Sequence, residues 1–262
     1  MAHARGEYFV CVDSDDVVEP CYLEDLVRTA ETHPEFGHVL CGFKSVSLQR
    51  SYILTDREPL SVVNRRDYML LFQKVLIQSP CLGLYKTELV RKHHLMMRED
   101  LSLGEDILFN LTYLDVLGEA PIGVINKTNY LYLDENPNSM NRRYRENLQQ
   151  IFETVDRSVA AHLTQWKIAD TGSWQRYYQN VYYHYLRVLE NTYHPENTAS
   201  RQVKLSRNGA VIRQETFREA LRKSGVAISP RLRRAFETGN YRAVRRLERI
   251  QKLKASVRSL LK

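Results

Sequence analysis

The stretch Gly6 to Pro20, GEYFVCVDSDDVVEP, constrains this chain more than any other: an apolar run from Tyr8 to Val12 ends abruptly in three carboxylates, Asp13, Asp15 and Asp16. The run reads as a buried strand. The segment behind it, EPCYLEDLVRTAETHPEFG, sets Tyr22, Leu23, Leu26, Val27 and Ala30 at helical spacing, between Pro20 at a first turn and a Pro34/Gly37 stop. HVLCGFKSVSL then returns to β-rich character. Strand, helix and strand in succession predict an α/β sheet. In open α/β sheets ligands gather at the carboxyl ends of strands, which is where the carboxylates stand.

Farther along, LSVVNRRDYMLLFQKVL and KTELVRKHHL read as helices, with Cys81 to Tyr85 between them. GEDILFNLTYLDVLG is a clear helix, with Ile107, Leu108, Leu111 and Leu114 on one face and Gly118 closing it. IGVINKTNYLYL returns to strand. From about Arg145 the period is helical almost to the end. In WQRYYQNVYYHYLRVLENTY, residues Tyr178, Val181, Tyr182, Tyr185 and Leu189 form one stripe, which predicts an aromatic packing face in preference to a ring-stacking ligand site.

Charge is unevenly distributed. From Arg201 to Lys262 there are 18 Lys and Arg against 4 Glu, while the remainder holds 20 basic against 27 acidic residues. An acidic body with a basic tail points to an anionic partner. RRLERIQKLKASVRSLLK sets Leu247, Ile250, Leu253, Val257, Leu260 and Leu261 near one face, which suits either an anionic membrane surface or packing onto the domain with a solvated basic side. Nucleic acid is disfavoured, because no recognition motif accompanies the charge. No run approaches the roughly 18 consecutive apolar residues of a membrane span, and no apolar leader segment precedes Gly6, so the expected location is cytoplasmic. Cys11, Cys21, Cys41 and Cys81 lack paired spacing and are expected to be reduced and buried. Adjacent His93 and His94 would point to different helix faces, so they read as surface or packing residues and not as a metal pair.

Asp13, Asp15 and Asp16 would repel one another unless a cation neutralised them, and an oxygen-only donor set suits Mg²⁺ or Mn²⁺. Read alone, the cluster fits equally well an acidic loop capping the next helix.

Three motifs occurring in order separate these readings. ARGEYFVCVDSDDVVEPCYLEDLV resembles the segment of family 2 glycosyltransferases that ends the nucleotide-binding half of their GT-A fold and carries the Asp-x-Asp motif. SPCLGLYKTELVRKHHLMMREDLSLGEDILFNLTYL resembles the family's acceptor half, whose Glu-Asp pair opens a helix. YLYLDENPNSM resembles the Tyr-x-Tyr and Asn-Ser run that follows. The resemblance covers about Ala4 to Met140.

The resemblance implies a partial GT-A α/β sheet over residues 1–144, followed by a helical extension over 145–200 and a basic helical tail over 201–262. It implies an inverting, metal-dependent glycosyltransferase that moves sugar from a nucleotide-sugar donor to a glycan or lipid-linked acceptor in bacterial surface polysaccharide synthesis. Asp13 and Asp15 would hold the Mn²⁺ or Mg²⁺ that bridges the donor diphosphate, with Asp16 as a further ligand or a second acceptor behind them. Asp106 would be the catalytic base, kept ionised by the helix dipole. Gly104 and Glu105 would meet the acceptor, unless Glu105 simply belongs to the first helical turn. The family's base- and ribose-binding units, about two to three βα units of roughly 30 residues, would precede Gly6 and lie outside this sequence. The alternative is a non-catalytic transferase-like module that binds an acceptor, a membrane or a partner.

Overall fold

The computed structural model describes residues 4–133 and 143–247. Asp134 to Met140 of the third motif, and the tail stripe beyond Leu247, lie outside the described residues. The chain divides into two compact units: residues 1–143 with 153–173, and residues 144–152 with 174–262.

In the first unit, the strands are β1 (Tyr8–Phe9), β2 (Val17–Val18), β3 (His38–Ser45), β4 (Arg50–Tyr52), β5 (Leu60–Val63), β6 (Gly83–Lys86) and β7 (Ile122–Tyr132). They join in the order β1-β6-β3-β7-β2, with β4 on β3 and β5 on β7. Among the described residues only β3 and β7 pair in parallel; the other pairings are antiparallel. The central strands read as apolar runs because they are covered on both faces, and Val39, Leu40, Cys41, Val124 and Ile125 are buried.

Two expectations need correction. The buried strand expected over Tyr8 to Val12 is a two-residue edge strand, β1, in which Tyr8 opposes Lys86 and Phe9 opposes Tyr85; Val12 is 48 % exposed. The long helix expected from Leu60 onward begins instead as strand β5, which pairs with Ile122 to Ile125 of β7. Val62 and Val63 suit a pleated surface, and sheet pairing overrides the helical spacing there. Helical structure starts only after Asn64, whose side chain accepts from Arg66 N while Asp67 reaches back to the Asn64 amide in a capping box; α2 (Tyr68–Gln73) follows.

The remaining helices of this unit follow the sequence pattern: α1 (Tyr22–Thr32), α3 (Thr87–Lys92), α4 (Glu105–Leu117) and α5 (Leu148–Gln165), the last of which runs through both units. α4 buries Leu108, Leu111 and Leu114 and ends at Gly118, with φ +64°. His93 and His94 are exposed, and Cys41 and Cys81 are buried free thiols, with Cys11 and Cys21 half-buried.

The second unit contains α6 (Thr171–Asn191, from Trp174 onward), α7 (Arg201–Val211), α8 (Glu215–Lys223) and α9 (Pro230–Glu237). The expected stripe on α6 packs: Val181, Tyr182, Tyr185 and Leu189 are buried, and Tyr182 and Tyr185 meet Phe217 of α8. No helix among the described residues is long and apolar enough to cross a membrane.

Candidate active site

Strand β6 organises the site. Tyr85 on β6 stacks on Phe9 of β1 with ring centroids 5.2 Å apart, and meets Tyr113 of α4 edge-on at 4.8 Å. Its hydroxyl donates to Asn110 Oδ1 of α4 at 2.6 Å, and Asn110 Nδ2 donates to the Ile77 carbonyl at 2.9 Å. Tyr113 accepts from the Lys86 amide at 3.0 Å and donates to the Gly37 carbonyl at 3.2 Å. The strand that leads into Asp13 and the helix that begins at Glu105 are therefore docked on the same four residues of sheet. Buried and fully partnered polar networks of this kind hold elements in one register.

The carboxylate loop is a tight turn in which the Asp16 amide donates to the Asp13 carbonyl at 3.1 Å. It is strapped to the carboxyl end of β7 by the pairing of β2 with Tyr130 and Leu131. Tyr130 is the pivot: its hydroxyl accepts from the Asp13 amide at 3.2 Å and donates to Asp16 Oδ2 at 2.7 Å. The other Asp16 oxygen accepts from the Leu133 amide at 2.8 Å. Both oxygens of Asp16 are thus used in holding the turn, while Asp13 and Asp15 are exposed. Burial raises the Asp16 carboxyl pKa above its ordinary value despite these bonds. Among the described residues, no three His, Cys, Asp or Glu side chains are gathered closely enough to hold a metal ion between them.

Asp106 occupies the first turn of α4. Its pKa is pushed up to about 7, first by burial and then by the negative charges of Glu105 and Asp13. This corrects the expectation that the helix dipole keeps it ionised: the dipole is worth about 0.3–1 kcal/mol at an exposed end, and desolvation with two like charges outweighs it. The nearby Cys11 thiol is raised as well, by burial and then by Asp106 and Asp13. These mutual influences place Asp13 and Asp106 in one electrostatic neighbourhood.

Gly104 introduces α4 with φ +85°, a left-handed conformation that favours glycine, and a Cβ there would lie 2.6 Å from Val155 Cγ2. Next to it, Glu105 Oε2 is buried without a hydrogen-bond partner. Of the expected site residues, Asp13 and Asp106 influence each other's surroundings, Gly104 and Glu105 adjoin Asp106, Asp15 is exposed on the Asp13 turn, and Asp16 faces the protein. What residue-by-residue reasoning missed is the part played by Tyr130. Its only signal was its place in the Tyr-x-Tyr run, since nothing local says that a tyrosine 114 positions away will hold Asp16.

Residues 1–93 match the family model described as glycosyl transferase family 2. A curated relative, the "Uncharacterized glycosyltransferase EpsJ" of Bacillus subtilis (strain 168), is 31% identical over 143 residues, which are 52% of this chain and 40% of EpsJ. The chain thus spans less than half the length of that relative. Among solved structures, S. aureus TarS 1–349 in complex with UDP-GlcNAc matches with a TM-score of 0.61 at 19% identity, covering 97% of this chain and 70% of that one. The complex of TarS 1–349 with UDP matches at 0.61 and 18%, over 97% and 69%. At such identity the likeness speaks for the fold, that of a partial GT-A sheet followed by a helical region.

Proposed function

We propose that this chain, whose residues 1–93 match glycosyl transferase family 2, serves in moving a sugar from a nucleotide-activated donor to a hydroxyl of a glycan or lipid-linked acceptor in bacterial surface polysaccharide synthesis. The observation that carries the reading is the convergence on β6 of the Asp13 turn and the α4 start, which brings exposed Asp13 within electrostatic reach of half-buried Asp106.

In this reading Asp13 and Asp15 hold Mg²⁺ or Mn²⁺. The donor set fits: two exposed carboxylates match a cation that takes one or two protein carboxylates and completes its shell with substrate phosphates and water. Asp16 is the residue that shapes the turn through Tyr130 and Leu133. When bound, the ion supplies neutralisation of the charge that develops on the departing nucleoside diphosphate. Asp106 accepts the proton of the attacking acceptor hydroxyl, for which a carboxylate held near neutrality is well matched. Glu105 orients the acceptor from the first turn of α4, and the left-handed Gly104 lets the chain turn tightly into the helix beside it. Attack opposite the leaving diphosphate inverts the anomeric centre. The TarS complexes with UDP and UDP-GlcNAc support a nucleotide-sugar donor. We extend the reading to a cytoplasmic location, with the basic region from Arg201 onward drawn to an anionic membrane surface.

Calorimetric titration with nucleoside diphosphate in the presence and absence of Mn²⁺ tests the metal assignment. Binding should require the ion, and Asp13→Ala and Asp15→Ala should each weaken it while Asp106→Asn leaves it nearly intact. Tight ion binding without diphosphate, insensitive to Asp15→Ala, rejects the assignment. Diphosphate binding with no sugar transfer or donor hydrolysis favours the non-catalytic alternative.

A further inference from the structure

The helical unit contains a cavity of about 380 Å³, bounded by the Tyr144–Gln150 stretch, the end of α6, α7 and the approach to α8. This volume falls within the roughly 300–1,000 Å³ of small-molecule sites. Its floor is apolar, with Leu148, Val188 and Val211. Its walls are rich in uncharged side-chain amides.

Some of these amides build the cavity and need no ligand. Asn208, wholly buried, accepts from Thr192 Oγ1 at 2.7 Å and donates to the Leu189 carbonyl at 2.9 Å. Asn191 clamps the backbone of Arg145, accepting from its amide at 3.2 Å and donating to its carbonyl at 2.7 Å. The walls are therefore fixed in advance, which lowers the entropic cost of binding.

Gln214 stands differently. It occupies the N-cap position of α8 yet makes no capping bond; its Oε1 accepts instead from Gln149 Nε2 at 2.9 Å. A side-chain amide carries two N–H donors and a carbonyl with two lone pairs, so this single bond leaves Gln214 with donors and an acceptor to offer the cavity. Arg207, with a half-exposed side chain, approaches Glu146 only to 3.9 Å, beyond hydrogen-bond reach. Tyr144, whose ring lies nearly parallel to that of His194 with centroids 5.9 Å apart, adds an aromatic side chain to the lining.

The two charged residues of the lining, Glu146 and Arg207, are of opposite sign, so the cavity has no net preference for an ion. Apolar side chains, a tyrosine and donor-acceptor amides in one lining match a ring with apolar C–H faces and an edge of hydroxyls. We propose that this cavity is a binding site for a neutral glycan, which it would hold independently of sugar transfer at the carboxylate corner.

Nuclear magnetic resonance titration of the full chain with neutral oligosaccharides of glucose, galactose and N-acetylglucosamine tests this. At least one series should bind saturably and shift the side-chain amide resonances of Gln149 and Gln214. Gln214→Leu and Tyr144→Ala, checked for an unchanged melting temperature, should each weaken binding by roughly tenfold, about what one lost hydrogen bond or ring contact is worth. Asp106→Asn should leave it unchanged, so a failure of the transferase reading and a failure of this one are separable. Absence of binding by all three series, binding that leaves the two glutamine resonances unmoved, or stronger binding of inorganic phosphate than of any glycan would each overturn the proposal.

Discussion

Two carboxylates on different helices of the sheet-bearing unit, Asp25 and Asp106, have opposite fates. Asp25 on α1 is 4 % exposed, yet it is fully answered: Lys127 Nζ and Asn129 Nδ2 donate to one oxygen at 2.9 Å each, and Arg28 to the other at 2.6 Å. Burial alone would raise its pKa, but the bonds from Lys127, Asn129 and Cys21 outweigh that and hold it below the ordinary value. Asp106 is also largely withdrawn from water, but its charged neighbours are Glu105 and Asp13, and its pKa rises to about 7. The contrast shows that burial does not decide what a carboxylate does; the sign of its neighbours does. Asp25 joins α1 to β7, whereas Asp106 is left in a state that a proton, a cation or a substrate hydroxyl can relieve.

The sharpest way to break this comparison is to neutralise both residues. In a protein that carries the family's base- and ribose-binding units joined to this chain, Asp106→Asn should lower sugar-transfer turnover by roughly 10²–10⁴-fold, the usual worth of a general base, with little change in melting temperature. Near-normal turnover of this variant would return Asp106 to the same structural class as Asp25.

A third buried ionisable group extends the contrast to a cation. His38 is almost wholly buried; its Nδ1 is 2.9 Å from the Leu84 carbonyl, its Nε2 lacks a partner, and burial lowers its pKa to about 4. The unfolded chain, with an imidazole pKa near 6.5, binds this proton first. Stability should therefore be fully present above about pH 6.5 and fall as pH drops toward 4, by up to about 3 kcal/mol. Urea melts across that range in the parent and in His38→Gln check this, since the variant should lose much of the slope. An equal slope in both would mean that His38 is protonated without penalty.

Asp25→Ala should cost about 1–3 kcal/mol, because it leaves the buried Asn129 amide unsatisfied, and should leave nucleoside diphosphate binding unaffected. Loss of that binding in a variant that is still folded would merge the two carboxylates into one function. The smallest effect is expected of Tyr130→Phe. It deletes the hydroxyl that joins the Asp13 amide to Asp16, which at this half-exposed turn should cost about 0.5–1.5 kcal/mol in all, and should weaken diphosphate binding through a looser turn. Unchanged binding would show that the turn holds its shape without the tyrosine.

Much of this was legible in the chain itself. The helices α1 and α4 could be read from Leu26, Ala30, Leu108, Leu111 and Leu114, because a helix is local and its apolar period is written on consecutive turns. The motif order implied a single site for Asp13, Asp15, Glu105 and Asp106, and the coupling of Asp13 with Asp106 agrees with that expectation. Strand β5 could not be read, because Leu60 to Val63 owes its conformation to pairing with Ile122 to Ile125, some sixty residues away. The pKa direction of Asp106 was misjudged for a related reason: the helix dipole is a local term, while burial and the charge of Asp13 arise only when the chain is folded.

What the sequence determined by itself was thus the set of local elements, the asymmetry of charge and the identity of the oxygen donors, since each depends on neighbours along the chain. Tertiary structure alone decided which aspartate would be paired and which left poised, that Tyr130 would hold Asp16 in place, and that Gln214 would turn from its helix toward a cavity. Those outcomes depend on desolvation and on partners distant in sequence, and neither exists until the strands and helices have packed.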